Sequence, residues 1–269
     1  MNSTAALLAT SDNPLSHVVQ HELFSFHIGS YEVIFTNHTL MVFLAALLML
    51  IILPLIARQR SMVPKGLRNF FESICVFIRE EVARPVLGHN TDKFMPYLWT
   101  TFFFILFCNL LGMIPIDGML YTISGTRLKH YGGTATANIW ITGTLAVFAF
   151  LMIHFSGIRE QGLLTYLKNF IPHVPLALAP FMYFIEFIGA LVKPFALAIR
   201  LFANMMAGHT VIGALMGVAI MSGNWGIAGV TVLGCAAISL LELFVAFLQA
   251  YIFTYLTTLF IGAAVHPEH

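Results

Sequence analysis

Four charged side chains stand in the otherwise apolar stretch of residues 176–264, namely Glu186, Lys193, Arg200 and Glu242. Ionisable groups inside a membrane helix are candidates for function because they are expensive to place there. Arg200 is the strongest of the four, since a guanidinium stays protonated in proteins and its placement at the bilayer centre costs between about 2.5 and 17 kcal/mol. We therefore expect Arg200 to face a titratable partner or an aqueous path; an internal ion pair with Glu186 or Glu242 is the alternative.

Helical spacing sorts the polar residues around Arg200 into two faces. At about 100° per residue, Glu186, Lys193 and Asn204 lie within roughly 40° of Arg200, whereas His209 lies on the opposite face. Ionisable groups thus occur on both sides of a central arginine along the helix. This layout predicts two half-channels, one to each membrane surface, because a fixed cation at the centre of a continuous pore would repel a conducted cation.

A turn near residues 224–225 would place the residues of two antiparallel helices level in pairs. Arg200 is then level with Gln249, and His209 comes close to the level of Glu242. A carboxylate beside an imidazole favours the protonated ring. We therefore expect His209 and Glu242 to form a pair that accepts and donates a proton near neutral pH. The alternative is two buried polar groups that are satisfied separately.

The composition is that of a polytopic membrane protein. Of 269 residues, 59% are hydrophobic and only 9% are charged, whereas soluble domains carry about 25% charged residues. This composition excludes both a soluble globular fold and a disordered chain. The formal net charge of +1 gives no sign of nucleic-acid binding. Cys75, Cys108 and Cys235 lie far apart and are expected as apolar residues rather than in disulfides or a metal site.

The apolar runs predict an all-α fold with about five transmembrane helices, an interfacial amphipathic helix and a long, tilted C-terminal helical hairpin. A solvent-exposed surface helix is the alternative for the amphipathic segment, and Pro194 should kink the first helix of the hairpin. No cleaved signal peptide is expected, because the first twenty residues contain no Lys or Arg. The predicted segments are an N-terminal non-cytoplasmic segment (1–36), a first transmembrane helix (37–57), a cytoplasmic and interfacial amphipathic region (58–93), a transmembrane hairpin (94–158), a cytoplasmic loop (159–174) and the long hairpin (175–269).

The distribution of basic residues orients the chain. With the N-terminus outside the cytoplasm, the inside connections hold nine Lys and Arg residues and the outside connections hold two, Arg127 and Lys129. Basic residues accumulate on the cytoplasmic side of membrane proteins. We therefore expect the N-terminus outside and, after an odd number of crossings, the C-terminus in the cytoplasm.

Several of these residues stand in motifs that resemble subunit a of the F-type ATP synthase. The block Ala198-Ile-Arg200-Leu-Phe-Ala-Asn204-Met-Met-Ala-Gly208 is the most specific, and it is accompanied by Phe184-Ile-Glu186, Lys193-Pro194, Leu248-Gln249-Ala-Tyr-Ile-Phe253 and Asn109-Leu-Leu-Gly-Met-Ile-Pro115. The likeness covers roughly residues 94–261. The best-known bacterial members carry Glu where this chain has His209 and His where it has Glu242, so the pair is exchanged here, as in mitochondrial relatives.

The resemblance implies a stator that faces a rotating c-ring. Two half-channels would carry protons to and from the ring carboxylates, and Arg200 would be the essential residue that keeps a passing carboxylate ionised and prevents a direct proton leak. The implied proton path includes His209, Glu242, Asn204, Gln249 and Glu186. Lys193 and Asn109 are possible supporting residues.

The resemblance also implies partners and a location. The partners are the c-ring, subunit b of the peripheral stalk, the remainder of the ATP synthase and the lipid bilayer, in a bacterial inner membrane. We expect no nucleic acid, no cofactor, no metal and no catalytic activity on this chain, and no bound nucleotide because it lacks a glycine-rich phosphate loop. The coupling ion stays open between proton and sodium, since the ring carboxylate that selects it lies on another chain.

Two other classes of protein, a secondary transporter and an intramembrane enzyme, fit the sequence less well. A secondary transporter would show internal repeats with paired broken helices, and the arginine-bearing hairpin has no repeat in the first half of the chain. An intramembrane enzyme would need a nucleophile with its base or a metal motif such as His-Glu-x-x-His, which is absent from the sequence. The N-terminal histidines His17, His21, His27 and His38 are expected to be solvated rather than metal-bound.

Overall fold

The computed structural model describes residues 21–28, 31–57, 66–114, 116, 132–169 and 178–265. Its elements are β1 (Glu22–Ile28), β2 (Tyr31–Thr36), α1 (Asn37–Ala57), α2 (Leu67–Phe77), α3 (Arg84–Leu87), α4 (Thr91–Gly112), α5 (Ile139–Gln161), α6 (Leu163–Asn169), α7 (Ala179–Ser222) and α8 (Trp225–Val265). The predictions on His17, Arg127, Lys129 and the C-terminal residues 266–269 lie outside the described residues.

Five helical stretches are long and apolar enough to cross a membrane, as predicted: Asn37–Ile56, Leu67–Gly112, Ile139–Gln161, Ala179–Ser222 and Trp225–Val265. The protein is therefore an all-α polytopic membrane protein. Helices α7 and α8 have 44 and 41 residues, which at 1.5 Å per residue gives lengths of about 66 and 62 Å. These lengths are about twice the thickness of the hydrocarbon layer, roughly 30 Å. Helix α7 continues through Pro194.

The amphipathic segment and the second crossing are joined without a loop. The backbone passes from α2 through a π-helical turn (Ile78–Ala83), α3 and a 3₁₀ turn (Gly88–Asn90) into α4. Gly88 ends α3 with a φ of 53°, a conformation that strains other residues. Helix α2 contains no buried residue, so its apolar side chains Leu67, Phe70, Val76 and Phe77 are exposed. Its position in the membrane interface stays a prediction.

A two-stranded antiparallel hairpin occupies part of the N-terminal segment, for which no secondary structure was predicted. Strand β1 pairs with β2, with Phe24 opposite Phe35 and His27 opposite Glu32. Aromatic residues at alternate positions, such as Phe24 and Phe26, are typical of a strand with two different faces. This alternation is only a few residues long, which is too short to predict a strand from the sequence.

The described residues belong to two compact units. Unit 1 takes its residues from Met1–Leu44, Cys108–Asn138 and Phe202–Ala246, and unit 2 takes them from Ala45–Phe107, Ile139–Leu201 and Phe247–His269. Helices α1, α4, α7 and α8 therefore contribute residues to both units. The polar residues that could take part in chemistry occur in both units.

In unit 1, the turn between α7 and α8 is set by its own residues. Gly223 has a φ of 57°, the left-handed conformation in which glycine commonly ends a helix. Asn224 then caps α8, because its Oδ1 accepts a hydrogen bond of 2.8 Å from the Gly226 amide. After the turn, α8 runs antiparallel to α7 and packs against it, with the Cys235 thiol 3.9 Å from the Ile212 carbonyl oxygen.

In unit 2, the core is formed by large apolar side chains of α4, α7 and α8, among them Leu98, Phe103, Ile105, Leu197, Leu201, Phe253 and Ile261. The Phe71 and Phe103 rings lie 5.6 Å apart between their centroids, and the Trp99 indole donates to the Cys75 carbonyl at 3.1 Å. Gly262 packs directly against Val86. The end of α5 is tied to α8 because Gln161 Nε2 donates to the Ala264 carbonyl at 2.7 Å.

The three cysteines are free. Cys108 and Cys235 are buried, and Cys75 is partly buried, as expected of thiols that act as small apolar residues.

Candidate functional site

The pair His209 and Glu242 lies in unit 1, where α7 and α8 run antiparallel. His209 Nε2 is 3.5 Å from Glu242 Oε1, and the Glu242 side chain is only 5% exposed. This distance allows a charge interaction, but the geometry is not that of a hydrogen bond, and among the described residues no donor satisfies Glu242 Oε1. A buried polar atom without a hydrogen-bond partner is rare in folded proteins, which marks Glu242 as a candidate functional residue.

The absence of a side chain at Gly208 makes room for this carboxylate. A Cβ atom at position 208 would lie 2.5 Å from Glu242 Oε1 and 3.0 Å from Cδ. Gly208 precedes His209 on α7 and is thus part of the surface against which Glu242 packs. The place of Glu242 beside the imidazole depends on glycine at this position.

Thr134 is a third member of this cluster and was missed from the sequence. Its Oγ1 lies 2.5 Å from His209 Nε2 and is also within hydrogen-bond distance of the Gly112 carbonyl oxygen, at 3.4 Å. The Thr134 hydroxyl can donate a hydrogen bond to the Gly112 carbonyl oxygen while it accepts one from His209 Nε2. No spacing in the sequence links residue 134 to residue 209, so only the fold reveals this contact.

His38 is buried in unit 1, which corrects the expectation that it is solvated. It is 1% exposed, and its Nδ1 lies 2.9 Å from the Thr134 carbonyl oxygen. Because a carbonyl only accepts, Nδ1 carries the proton. This contact cannot be predicted from the sequence, since His38 stands at the polar beginning of α1. His27, by contrast, is exposed as expected, and His21 is partly exposed.

Two buried asparagines hold the segment that carries Thr134. Asn37 Nδ2 donates to the Gly132 carbonyl at 2.8 Å. Asn109 is fully buried; its Oδ1 accepts from the Thr136 hydroxyl at 2.8 Å, and its Nδ2 donates to the Ala246 carbonyl at 3.4 Å. Asn109 thus connects the segment to α8, a bridging position for a residue singled out from the sequence as a possible support.

Arg200 lies in unit 2 at the middle of α7 with an exposed side chain. Its neighbours Leu197, Ala198 and Leu201 are buried, so the arginine points away from the packed side of its helix. Among the described residues, none forms a salt bridge or a side-chain hydrogen bond with Arg200. Within unit 2, the ion pair of Arg200 with Glu186, one alternative from the sequence, is therefore not formed.

The other predicted residues differ in their burial and contacts. Gln249, predicted to be level with it, is buried and 2% exposed, and no hydrogen bond joins the two side chains. The Lys193 ammonium lies 5.3 Å from the centroid of the Phe260 ring, a cation–π distance. Glu186 is partly exposed on α7, and Asn204 is exposed in unit 1.

Unit 2 contains a further polar contact that the sequence did not suggest. His154 Nδ1 lies 2.6 Å from the Tyr166 hydroxyl. Burial raises the pKa of the Tyr166 phenol, so the hydroxyl stays protonated near neutral pH and can donate to the imidazole. Lys93 and Glu160 form an ion pair in the same unit.

No group of three or more His, Cys, Asp or Glu side chains suited to a metal ion occurs in the described part of the chain. The described residues thus include an imidazole and a buried carboxylate close together in unit 1 and an exposed arginine in unit 2. Both lie on the two long apolar helices α7 and α8.

Comparison with known proteins gives a consistent picture. A family model described as ATP synthase A chain matches residues 39–262. The chain is similar to the ATP synthase subunit a of Chloroherpeton thalassium, 42% identical over 252 residues that cover 90% of this chain and 70% of that protein. It is also similar to ATP synthase subunit a 2 of Chlorobaculum tepidum (41% identical, 93% of this chain, 72% of that protein) and to ATP synthase subunit a of Myxococcus xanthus (40%, 90% and 76%).

Proposed function

The chain belongs to the ATP synthase A chain family, and from this premise we propose that it conducts protons past the c-ring as the stator of the membrane sector. In this proposal two aqueous half-channels lead from the two membrane surfaces toward the ring, and proton flow through them is coupled to rotation and ATP synthesis. The chain binds no nucleotide and is not itself catalytic, so the chemistry on ATP belongs to other subunits.

The observation that carries the proposal is the exposure of Arg200. An arginine at the middle of a 44-residue apolar helix, pointing away from its own protein, needs a partner that compensates its charge. A carboxylate on another membrane subunit is the natural partner, because opposite charges attract strongly where water is scarce. The ring carboxylate meets this requirement.

We infer the role of Arg200 from this charge. A protonated ring carboxylate that approaches the guanidinium loses its proton to the adjoining half-channel, since a nearby cation favours the ionised form. After the carboxylate has moved on, it takes up a proton from the other half-channel. The guanidinium, which holds its own protons permanently, repels any proton that would cross directly between the half-channels.

The cluster around His209 supplies protons on one side of Arg200. In this relay Glu242 and His209 are the groups that take up and release protons, and the Thr134 hydroxyl beside His209 Nε2 orients the imidazole. His38 and Asn109 position this relay, because they hold the Thr134 segment through its backbone and through Thr136. Asn204 and Gln249 continue the path near Arg200, and Glu186 belongs to the other half-channel, with Lys193 as a possible supporting charge.

The proposed setting follows from the same premise. The partners are the c-ring, subunit b of the peripheral stalk and the remaining subunits, and the location is a bacterial inner membrane with the N-terminus outside. A sodium-coupled form is the second candidate. The histidine in the relay favours protons, because hard cations such as sodium prefer oxygen ligands.

The test is ATP-driven proton uptake by vesicles that contain the assembled complex, comparing the wild type with Arg200→Ala. We expect Arg200→Ala to abolish pumping, because the variant lacks the charge proposed to keep the ring carboxylate ionised, while the complex still assembles. The matched control is Arg84→Ala, which removes an exposed arginine that pairs with Glu80 outside the two long helices and should retain pumping. Normal pumping by Arg200→Ala would refute the role of Arg200.

A further inference from the structure

The β1–β2 hairpin has an aromatic face and a polar face. Phe24 and Phe26 alternate along β1 and therefore point to the same side, with their ring centroids 6.3 Å apart. Phe35, opposite Phe24 on β2, stacks on it at 4.7 Å. We call Phe24, Phe26 and Phe35 the aromatic face. Ser25 and His27 lie on the other side of β1.

The aromatic face is largely uncovered within the described protein. Phe24 is 55% exposed and Phe26 is 43% exposed. The opposite side of the hairpin carries Ser25, His27 and Glu32, all exposed; across the strands His27 is paired with Glu32, and Ser25 is paired with Ile34, which is 42% exposed. A contiguous exposed apolar patch beside polar residues marks an interaction surface.

The aromatic face is continuous with the outer surface of the first transmembrane helix. The Phe35 ring stacks on the Phe43 ring of α1 with centroids 6.0 Å apart, and Phe43 is 62% exposed. Leu47 and Leu50, which follow Phe43 on the same side of α1, are also exposed. An exposed apolar stripe along a membrane-spanning helix is suited to lipid contact, and the aromatic face extends this stripe.

The position of Phe43 along α1 sets the depth of this contact. Helix α1 begins directly after β2 and has 21 residues, about 31 Å of helix, which matches a hydrocarbon layer of roughly 30 Å. Phe43 lies about 9 Å along the axis from the start of α1. A ring stacked on Phe43 is therefore close to, or within, the hydrocarbon layer rather than in bulk water.

We propose that the β1–β2 hairpin inserts its aromatic face into the lipid bilayer beside the first turns of α1. The hairpin does not cross the membrane; it lies in the leaflet in which α1 begins, with Ser25, His27 and Glu32 toward the water. The occupant of the face is lipid rather than another protein, because the face continues a lipid-facing helix stripe and the described hairpin residues include no Lys or Arg that would hold an acidic protein partner.

The test places the photoreactive amino acid p-benzoyl-phenylalanine at position 24, or in the matched control at position 25, in the assembled complex. The complex is reconstituted in vesicles of phosphatidylethanolamine and phosphatidylglycerol, irradiated, and digested for mass spectrometry. Adducts at position 24 are expected mainly on acyl chains, in several-fold higher yield than from position 25. Replacement at position 26 provides a second probe of the same face if the replacement at 24 prevents assembly.

Each result decides the proposal. Acyl-chain adducts from positions 24 and 26, but not from 25, support it. Adducts mainly to another subunit or to another segment of this chain would overturn it, and so would equal lipid yields from 24 and 25. The outcome is independent of the proton-path proposal, because the hairpin probe reads lipid contact without any pumping.

Discussion

At the scale of single residues, the chemistry of unit 1 rests on one imidazole with two neighbours. His209 Nε2 lies 2.5 Å from the Thr134 hydroxyl and 3.5 Å from Glu242 Oε1. The shorter contact fixes the ring, and the longer one leaves the carboxylate able to gain or lose a proton without breaking a strong hydrogen bond. A direct proton transfer between the two side chains requires them to approach to hydrogen-bond distance, about 2.7–3.2 Å.

The exchange of the two residues tests whether they act as a pair. We expect the double variant His209→Glu with Glu242→His to recover more ATP-driven proton uptake than either single variant, because the facing arrangement preserves one imidazole and one carboxylate. Each single variant leaves two like groups together and should pump poorly. Equal failure of all three variants would contradict the pairing.

The contact of Gly208 with Glu242 gives a second test. Gly208→Ala would place a methyl group against the carboxylate, so Glu242 must move; we expect a several-fold loss of pumping and a destabilisation of about 1–3 kcal/mol from overpacking. Gly217→Ala is the matched control on the same helix, because a Cβ there would meet no atom within 4 Å. Equal pumping rates for the two variants, measured in the same vesicles, would count against a packing constraint at position 208.

Residue types and helical spacing were enough to single out Arg200, His209 and Glu242, because charges are rare in an apolar chain. They were not enough to find Thr134 or the buried state of His38. A threonine costs little anywhere in a membrane protein and so carries no signal, and a histidine at a helix start has the same neighbours in sequence whether it is buried or solvated. Arg200 and Gln249, predicted to be level, make no hydrogen bond with each other, since level positions on two helices do not fix the direction of the side chains.

At the scale of elements, turns and glycines decide how the helices meet. The Gly223 and Asn224 turn ends α7 and starts α8 with local capping, and this turn is why the antiparallel register could be predicted from the sequence. The short strands β1 and β2 could not, because a hairpin depends on cross-strand pairs that a segment of few residues does not reveal. Likewise, the sequence predicts α2 and α4 as two separate helices, because charged residues lie between them.

A tight contact between α8 and α3 predicts a stability effect. Gly262 has no room for a Cβ atom, because it would overlap the Val86 side chain and lie 3.2 Å from the Val86 carbonyl oxygen. We expect Gly262→Ala to destabilise the protein by about 1–3 kcal/mol, seen as earlier thermal unfolding in detergent. Gly189→Ala, on α7 with no atom within 4 Å of the added Cβ, should be neutral or raise stability by up to about 1 kcal/mol. A lower melting temperature for Gly189→Ala than for Gly262→Ala would show that this contact is not limiting.

At the scale of the whole molecule, the composition alone predicted the class correctly. With 9% charged residues, lipid has to cover most of the outer surface, and the described helices expose large apolar side chains along their lengths. The division of α1, α4, α7 and α8 between two compact units could not be predicted, because nothing in an apolar helix marks the residue at which its neighbours change.

The coupling ion is a prediction at this scale, because it depends on the whole complex. The imidazole in the proposed relay makes us expect ATP-driven acidification of vesicles to persist in sodium-free buffer and to be unaffected by a sodium ionophore, whereas a protonophore should abolish it. Acidification that requires added sodium would indicate the sodium-coupled form instead. A complex with Arg200→Ala serves as the inactive control.

The exposed guanidinium of Arg200 also has a meaning for how the protein is made. A newly inserted chain that has not yet met its partner holds this charge against lipid, at a cost that insertion measurements put at about 2.5–3.5 kcal/mol at the centre of a helix. In the proposed assembly, the carboxylate of the ring subunit removes that cost. The same residue therefore distinguishes an orphan copy from an assembled one, and it gives cellular surveillance of the membrane a physical mark by which surplus copies can be recognised and cleared.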